Sequence, residues 1–339
     1  MSSLSDDRAD AIASFWAFWG EARDRIAESV MSGGMKQDDV EAMNAYVAAI
    51  DYLLDWQLGE GVRSKHHLCV TACGDPTLRA VTAKWLESAP EPDATWEYYP
   101  SRQPMRSLEG FSLEIEEHTI PIDQAVVTFK EDRARETVDV VFHHPMFAKI
   151  EDETIRAQVA VVSLEQALGE DAFVQWVNEF DVSATPPEGA IPLGDLSSEI
   201  EALAARSTGE QWQVVTSERE GRPLAVTRNH ALKRVEHPTL ETHTEITLTL
   251  ADKSRDDGLA TDEEAKTLDA LEDKLLESLG ARGVLIGRET WNGTRIIHLH
   301  TKKAANPLID EWGKRDANAY EVKVAHKADP TWSVLDRWS

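Results

Sequence analysis

Residues 261–301 read TDEEAKTLDALEDKLLESLGARGVLIGRETWNGTRIIHLHT, and the fold of the second half of the chain follows from them. Thr261 followed by Glu264 is a capping box, in which a hydroxyl and a carboxylate each satisfy an orphan backbone donor at a helix start. Leu268, Leu271, Leu275 and Leu279 then recur at helical spacing, and Gly280 stands where a left-handed stop belongs. Two alternating runs follow, 284–291 and 294–301, joined by Asn292-Gly293. Asn-Gly between such runs predicts a hairpin, because both residues accept the positive φ of a type I′ turn. A two-residue turn pairs Trp291 with Thr294, Glu289 with Ile296, Gly287 with His298 and Leu285 with His300. Val284, Ile286, Ile297 and Leu299 are then expected to face the leucine helix. Glu289, Trp291, His298 and His300 are expected on the opposite face.

Outward from this stretch, strand periodicity recurs. Trp212 to Ser217, a turn at Glu220-Gly221, and Leu224 to Asn229 predict a second hairpin. The run His243 to Leu250 places Ile246, Leu248 and Leu250 on one side, and His243, Glu245, Thr247 and Thr249 on the other. A short helix after Pro307 and a strand through Tyr320, Val322 and Val324 complete the pattern. Strands and helices in this order describe an α+β domain over about 207–339, with a mostly antiparallel sheet and helices on one face.

The first half reads as a second α+β domain, over about 1–200, opened by a helical pair. Ile12, Phe15, Trp19, Ala22, Ile26 and Val30 form one apolar stripe over 8–31. A second helix is expected from about Asp38 to Leu58, through Val40, Met43, Val47, Ile50 and Leu54. Leu68 and Val70, Trp96 and Tyr98, Phe111 to Ile115, Val127 and Phe129, and Val138 to Phe142 mark strands. Helices are expected from Glu151 to a stop at Gly169, over Phe173 to Val177, and, exposed, over Leu196 to Arg206.

Net charge is −26, with 42% hydrophobic and 28% charged residues. Residues 1–205 carry 38 acidic and 15 basic side chains, a net of −23, against −3 for the remainder. Such a first half repels phosphate backbones, so nucleic acid is not expected as its partner; the surplus reads as a solubilising or salt-adapted surface, with an acidic face for a basic protein partner as the sharper alternative. Nothing approaches the ~18 apolar residues of a membrane span. The N-terminus carries Asp6, Asp7 and Asp10 and lacks the basic-then-apolar order of a secretory signal. Cys69 and Cys73, roughly 13 Å apart along a strand, are too distant for a disulfide. Reduced thiols in a cytoplasm are expected.

The short signatures of catalysis are missing: no phosphate-cradling glycine loop, no H-E-x-x-H, no G-x-S-x-G and no paired C-x-x-C. If strand 243–250 joins the hairpin sheet, one face collects Glu289, Trp291, His298, His300, His243 and Glu245 as ligand or interface candidates. Histidines two apart on a strand beside a carboxylate are a donor set for a divalent metal, here His298, His300 and Glu289. The bland alternative is a docked or solvated sheet face. Cys69 and Cys73 with His66 and His67 form a second group, read as structural.

Trp212 with Gly221-Arg222-Pro223-Leu224, Asp257-Gly258-Leu259, Leu268, Leu271-Glu272, Leu275, Gly293-Thr294-Arg295 and Asp329-Pro330-Thr331-Trp332 carry a family resemblance. On these motifs, residues of about 207–339 resemble the bacterial domain-of-unknown-function family 695. That family brings no established activity, cofactor or catalytic residue to carry over. Some members are fused to a domain similar to protein inhibitors of ribonuclease E, which implies regulation by protein contact. No motif in the first half names a family. The expected function is therefore binding or regulation, with a metal-assisted hydrolase on Glu289, His298 and His300 as the alternative.

Overall fold

The computed structural model describes residues 4–338. The fold is α+β with mostly antiparallel sheets, and it divides into two compact units. Unit 1 comprises residues 1–132 and 137–206, and unit 2 comprises 133–136 and 207–339. No helix among the described residues is long and apolar enough to cross a membrane.

Unit 1 has two apolar cores. In the first, α1 (Leu4–Met31), α2 (Gln37–Ile50) and α3 (Arg79–Glu87) pack with β1 (Asp55–Glu60), β2 (His66–Thr71) and β3 (Trp96–Tyr99). The stripe Ile12, Phe15, Trp19, Ala22 and Ile26 is buried there, as its spacing demands. The second helix ends at Ile50, eight residues before the predicted Leu58. Asp51 turns extended, accepts a hydrogen bond from the Leu53 amide at 3.1 Å, and residues 55–60 pair with β2. Trp56 and Leu58 belong to a strand of period two, and the helical reading had absorbed them.

The second core lies among β4 (Ser112–Ile115), β5 (His118–Pro121), β6 (Val126–Asp132) and β7 (Thr137–His143), with α4 (Glu153–Leu168) and α5 (Glu170–Trp176). The strands β8 (Val177–Val182) and β9 (Ile191–Pro192) and the helix α6 (Leu196–Arg206) complete it. The sheet order β8-β7-β6-β9 includes a parallel β7–β8 pair. Strand β8 was not foreseen, because Val177 follows a helix without a turn signal. Nor is α6 exposed, since Leu196, Ile200 and Leu203 are buried in this core. Gly169, at φ 80°, serves both as the end of α4 and as the start of α5. A Cβ there would lie 2.8 Å from Pro104 Cδ, so the left-handed, crowded position admits only glycine. Directly after it, the buried Glu170 carboxylate accepts hydrogen bonds from Thr71 Oγ1, from the Gly74 amide at 2.8 Å and from the Arg102 amide at 3.1 Å.

Unit 2 is one antiparallel sheet in the order β10-β11-β13-β14-β12-β15. Its strands are β10 (Trp212–Arg219), β11 (Arg222–Asn229), β12 (Thr242–Thr249), β13 (Gly283–Trp291), β14 (Thr294–Thr301) and β15 (Glu321–Ala328). Helices α7 (Asp262–Leu279) and α8 (Asn306–Arg315) cover one face through Leu268, Leu275, Leu279, Ile309 and Trp312. Thr261 Oγ1 accepts from the Glu264 amide at 3.3 Å, which is half of the predicted capping box. The Glu264 carboxylate turns instead to the Ala251 amide at 2.6 Å. Asn292 and Gly293 have φ of 48° and 78°, as a type I′ hairpin requires. Residues 133–136 join this unit through Glu136, whose carboxylate accepts from Ser207, Thr208, the Gly209 amide at 2.9 Å and Gln211 at 2.9 Å. Burial pushes that carboxyl up, but the donors outweigh it and hold it at about 2.

The hairpin register agrees with the sequence from Trp291–Thr294 to Gly287–His298 and then departs from it. A bulge between Leu285 and Gly287 leaves Ile286 unpaired, so Leu285 opposes Leu299 and Val284 opposes His300. One inserted residue exchanges the two faces. Leu285, rather than Val284 and Ile286, packs with Ile297 and Leu299 under α7. Val284 and Ile286 lie on the histidine face, beside Leu240, Trp332 and Val334.

Candidate functional site

The face of the unit 2 sheet away from α7 and α8 collects the predicted residues. In register, His243 opposes His300 and Glu245 opposes His298. His243 Nε2 and His298 Nδ1 are hydrogen-bonded at 3.1 Å, with rings nearly parallel at 5.3 Å. His298 Nε2 lies 3.7 Å from Glu289 Oε1, and both side chains are buried. Glu289 is also 3.2 Å from the Arg219 guanidinium and 3.7 Å from that of Arg337. Glu245 faces Arg337 at 3.7 Å. Trp291 lies further along the face, where its Nε1 donates to the Arg219 carbonyl at 3.0 Å and Arg219 sits over its ring at 5.6 Å.

His300 is held separately. Its Nδ1 donates to the Leu240 carbonyl at 3.0 Å, which fixes the tautomer, and its Nε2 lies 3.4 Å from Asp329 Oδ2. Trp332 stacks on the ring at 4.3 Å and donates its own Nε1–H to Leu240 O at 3.0 Å. The turn that carries Asp329 and Trp332 thereby closes over this corner of the sheet, and His298 and His300 are fully buried.

Burial pulls His300 down to about 4, although the Leu240 carbonyl and Asp329 both act to raise it. His243 also falls to about 4, through burial first and then the neighbouring His298 and His300. Folded, both rings take up a proton less readily than unfolded. Their contribution to stability is therefore complete above about 6.5 and is lost as pH falls toward 4. A shift of this size amounts to roughly 3 kcal/mol for His300 alone. Amide exchange should show β12 and β14 opening progressively between pH 6.5 and 4.5, with the slope reduced in His300→Gln. Protection that is flat across that window would refute the linkage.

The same face continues past Trp291 into a groove of about 220 Å³ over β10 and β11. Val215, Leu224 and Val226 give it an apolar lining, and Arg219, Arg228 and Arg337 a charged one. Arg228 is half-buried, and burial first, then the charge of Arg135, lowers its pKa. A larger opening in unit 1, about 590 Å³, is lined by Glu60, Lys65, His66 and Arg106. There Arg106 is paired with Glu60 at 3.3 Å and also donates to the Gly61 carbonyl.

Among the described residues no group of three or more His, Cys, Asp or Glu side chains is disposed to hold a metal ion. Glu289 and His298 converge, whereas His300 is directed to Asp329. In unit 1, Cys69 is buried in β2, while Cys73 lies beyond the strand, exposed, at φ 52°. Arg219, Arg228, Asp329, Trp332 and Arg337 were not foreseen as site residues. The only signal for them was the Asp329–Trp332 motif, already singled out by resemblance. No curated protein and no solved structure matches this chain. Residues 210–336, which hold all of this site but Arg337, match the model of the Family of unknown function (DUF695), and nothing in the first half is recognised.

Proposed function

We propose that this protein works by binding, and that unit 2 recognises a ligand with an anionic group at the groove over β10 and β11. The observation that carries this reading is three arginines lining an open, partly apolar groove in a chain of net charge −26. Guanidinium groups at such a place favour carboxylate or phosphate, which they bind in bidentate fashion. Glutarate, inorganic phosphate and poly-L-glutamate, titrated calorimetrically into the full chain, test it. Saturable binding of at least one probe is expected, weakened about tenfold in Arg228→Ala, a loss near 1.4 kcal/mol. Binding of none, or affinity indifferent to Arg228→Ala, would overturn it.

The acidic surplus of residues 1–205 supports a basic protein partner for the first half, in a cytoplasmic setting that suits two free thiols. Capture of such a partner should weaken as salt rises. A metal-assisted hydrolase on Glu289, His298 and His300 has less support, because a substrate would have to displace Trp332 to reach the buried rings. Stoichiometric zinc uptake that disappears in the His298→Ala, His300→Ala double variant would restore that alternative.

A further inference from the structure

We propose that β10 is a docking edge at which an extended acidic peptide pairs as a seventh strand, its alternate carboxylates reaching the arginine groove. This deepens the binding reading above and rests on it.

Strand β10 ends the sheet, and among the described residues β11 is its only sheet neighbour. Seven of its eight residues are exposed. Trp212, Val214 and Val215 are 42%, 70% and 53% exposed, an unusual concentration of bare apolar side chains on one strand. Sheets usually blunt such an edge with proline, lysine, a bulge or a very short strand. Residues 212–219 contain no proline or lysine, and their pairing with β11 is unbroken.

The turn fixes which backbone groups point outward. Glu220 and Gly221 both have positive φ, so Arg219 and Arg222 flank a two-residue turn and form a hydrogen-bonded pair. Alternation along an antiparallel ladder then directs the N–H and C=O groups of Trp212, Val214, Thr216 and Glu218 away from β11. Gln213, Val215, Ser217 and Arg219 share the groove face, and Trp212 and Val214 point to the other. An added strand would thus lay every second side chain along the groove and the intervening ones beside Trp212 and Val214. Peptide recognition by strand addition has this form, with backbone bonds for affinity and alternate pockets for specificity.

Charge selects the occupant. Arg219, Arg228 and Arg337 line the groove against the carboxylates of Glu289 and Glu245, and Arg135 adds its field at Arg228. Among the described residues, three guanidinium groups stand there against two carboxylates. The matching sequence has acidic residues alternating with apolar ones. A second copy of the chain would bring the same arginines and a further −26 charges, and offers no such complement.

The probe is an end-capped Glu-Val repeat as long as β10, titrated into the full chain. We expect saturable binding, at least about tenfold weaker for the Lys-Val repeat. Antiparallel addition, as in every pair of this sheet, uses the valine amides. N-methylation of the valines should therefore cost about tenfold or more, and methylation of the glutamates much less. Thr216→Pro removes one outward N–H and should weaken binding similarly, while the methylated peptides decide the matter on unaltered protein. If the simple acids bind and the peptide is indifferent to methylation, the edge falls and the groove stands. If neither acids nor peptide bind, both fall. If the chain dimerises at micromolar concentration and Thr216→Pro returns it to monomer, the occupant is a second copy and the peptide proposal is wrong.

Discussion

Trp332→Ala should destabilise unit 2 by about 3–5 kcal/mol, the range for removing a large buried aromatic side chain. Trp332 is 2% exposed and packs with Leu240, Ile286 and Val334. It lies on His300, donates to the Leu240 carbonyl, and holds φ at 58°, a conformation a tryptophan adopts only where its surroundings require it. Its removal would also admit water to His300. The burial that pulls that ring down to about 4 would be relieved, and its titration should move back toward 6.5. Denaturant unfolding gives the first number, and an NMR titration of the His300 ring gives the second. A loss under about 1 kcal/mol, the scale of an ordinary substitution, would mean that the turn is not the seal described above. So would an unmoved His300.

Glu170→Ala should have a comparable effect in unit 1, about 3 kcal/mol, from the donors it leaves without an acceptor. The cost arises from what remains. The Gly74 and Arg102 amides and the Thr71 hydroxyl all donate to this carboxylate; the buried Thr71 hydroxyl left unmet costs about 1–3 kcal/mol, and the part-buried amides add less. Glu170→Gln keeps an acceptor oxygen and should lose less. Asp171→Ala should be costly as well, since its partner Arg79 is only 9% exposed and would be left buried without its carboxylate. Calorimetry would separate the units: a loss near 3 kcal/mol lowers the unit 1 transition by roughly 6–12 °C at this size. A shift spread equally over both transitions would contradict the assignment of Glu170 to unit 1 alone.

What the sequence disclosed, and what it withheld, follow a physical division. Local signals carried through: the leucine spacing of α7, the Asn292-Gly293 turn, the stripe of α1 and the alternation of β12 all depend on neighbours in sequence. The errors arose where a distant contact decides. Trp56 and Leu58 fit a helical face as well as a strand, and only pairing with β2 settles them. Residue 286 carries no mark of a bulge, yet that one residue moved Val284 away from α7 and brought Leu285 under it. His243, Glu289, His298 and His300 were placed on one face from alternation alone. Their partners Arg219, Asp329, Trp332 and Arg337 come from elsewhere in the unit and could not be joined to them by counting residues. Glu170 offered no signal at all, since a carboxylate at a helix start is ordinary until its partners at 71, 74 and 102 are known.

The bare edge of β10 also bears on the acid surplus of the whole chain. An unbroken, partly apolar edge strand with its backbone open to water is a template for sheet growth between identical molecules. Like charge opposes that encounter over roughly a Debye length, about 8 Å at physiological salt, and each copy carries −26. The net acidity of each copy thereby acts as a colloidal guard for the strand at residues 212–219. Conditions that neutralise carboxylates or screen them would remove this guard while leaving every bond inside β10 and β11 intact. Self-association and strand pairing are in this respect expected to respond to different conditions.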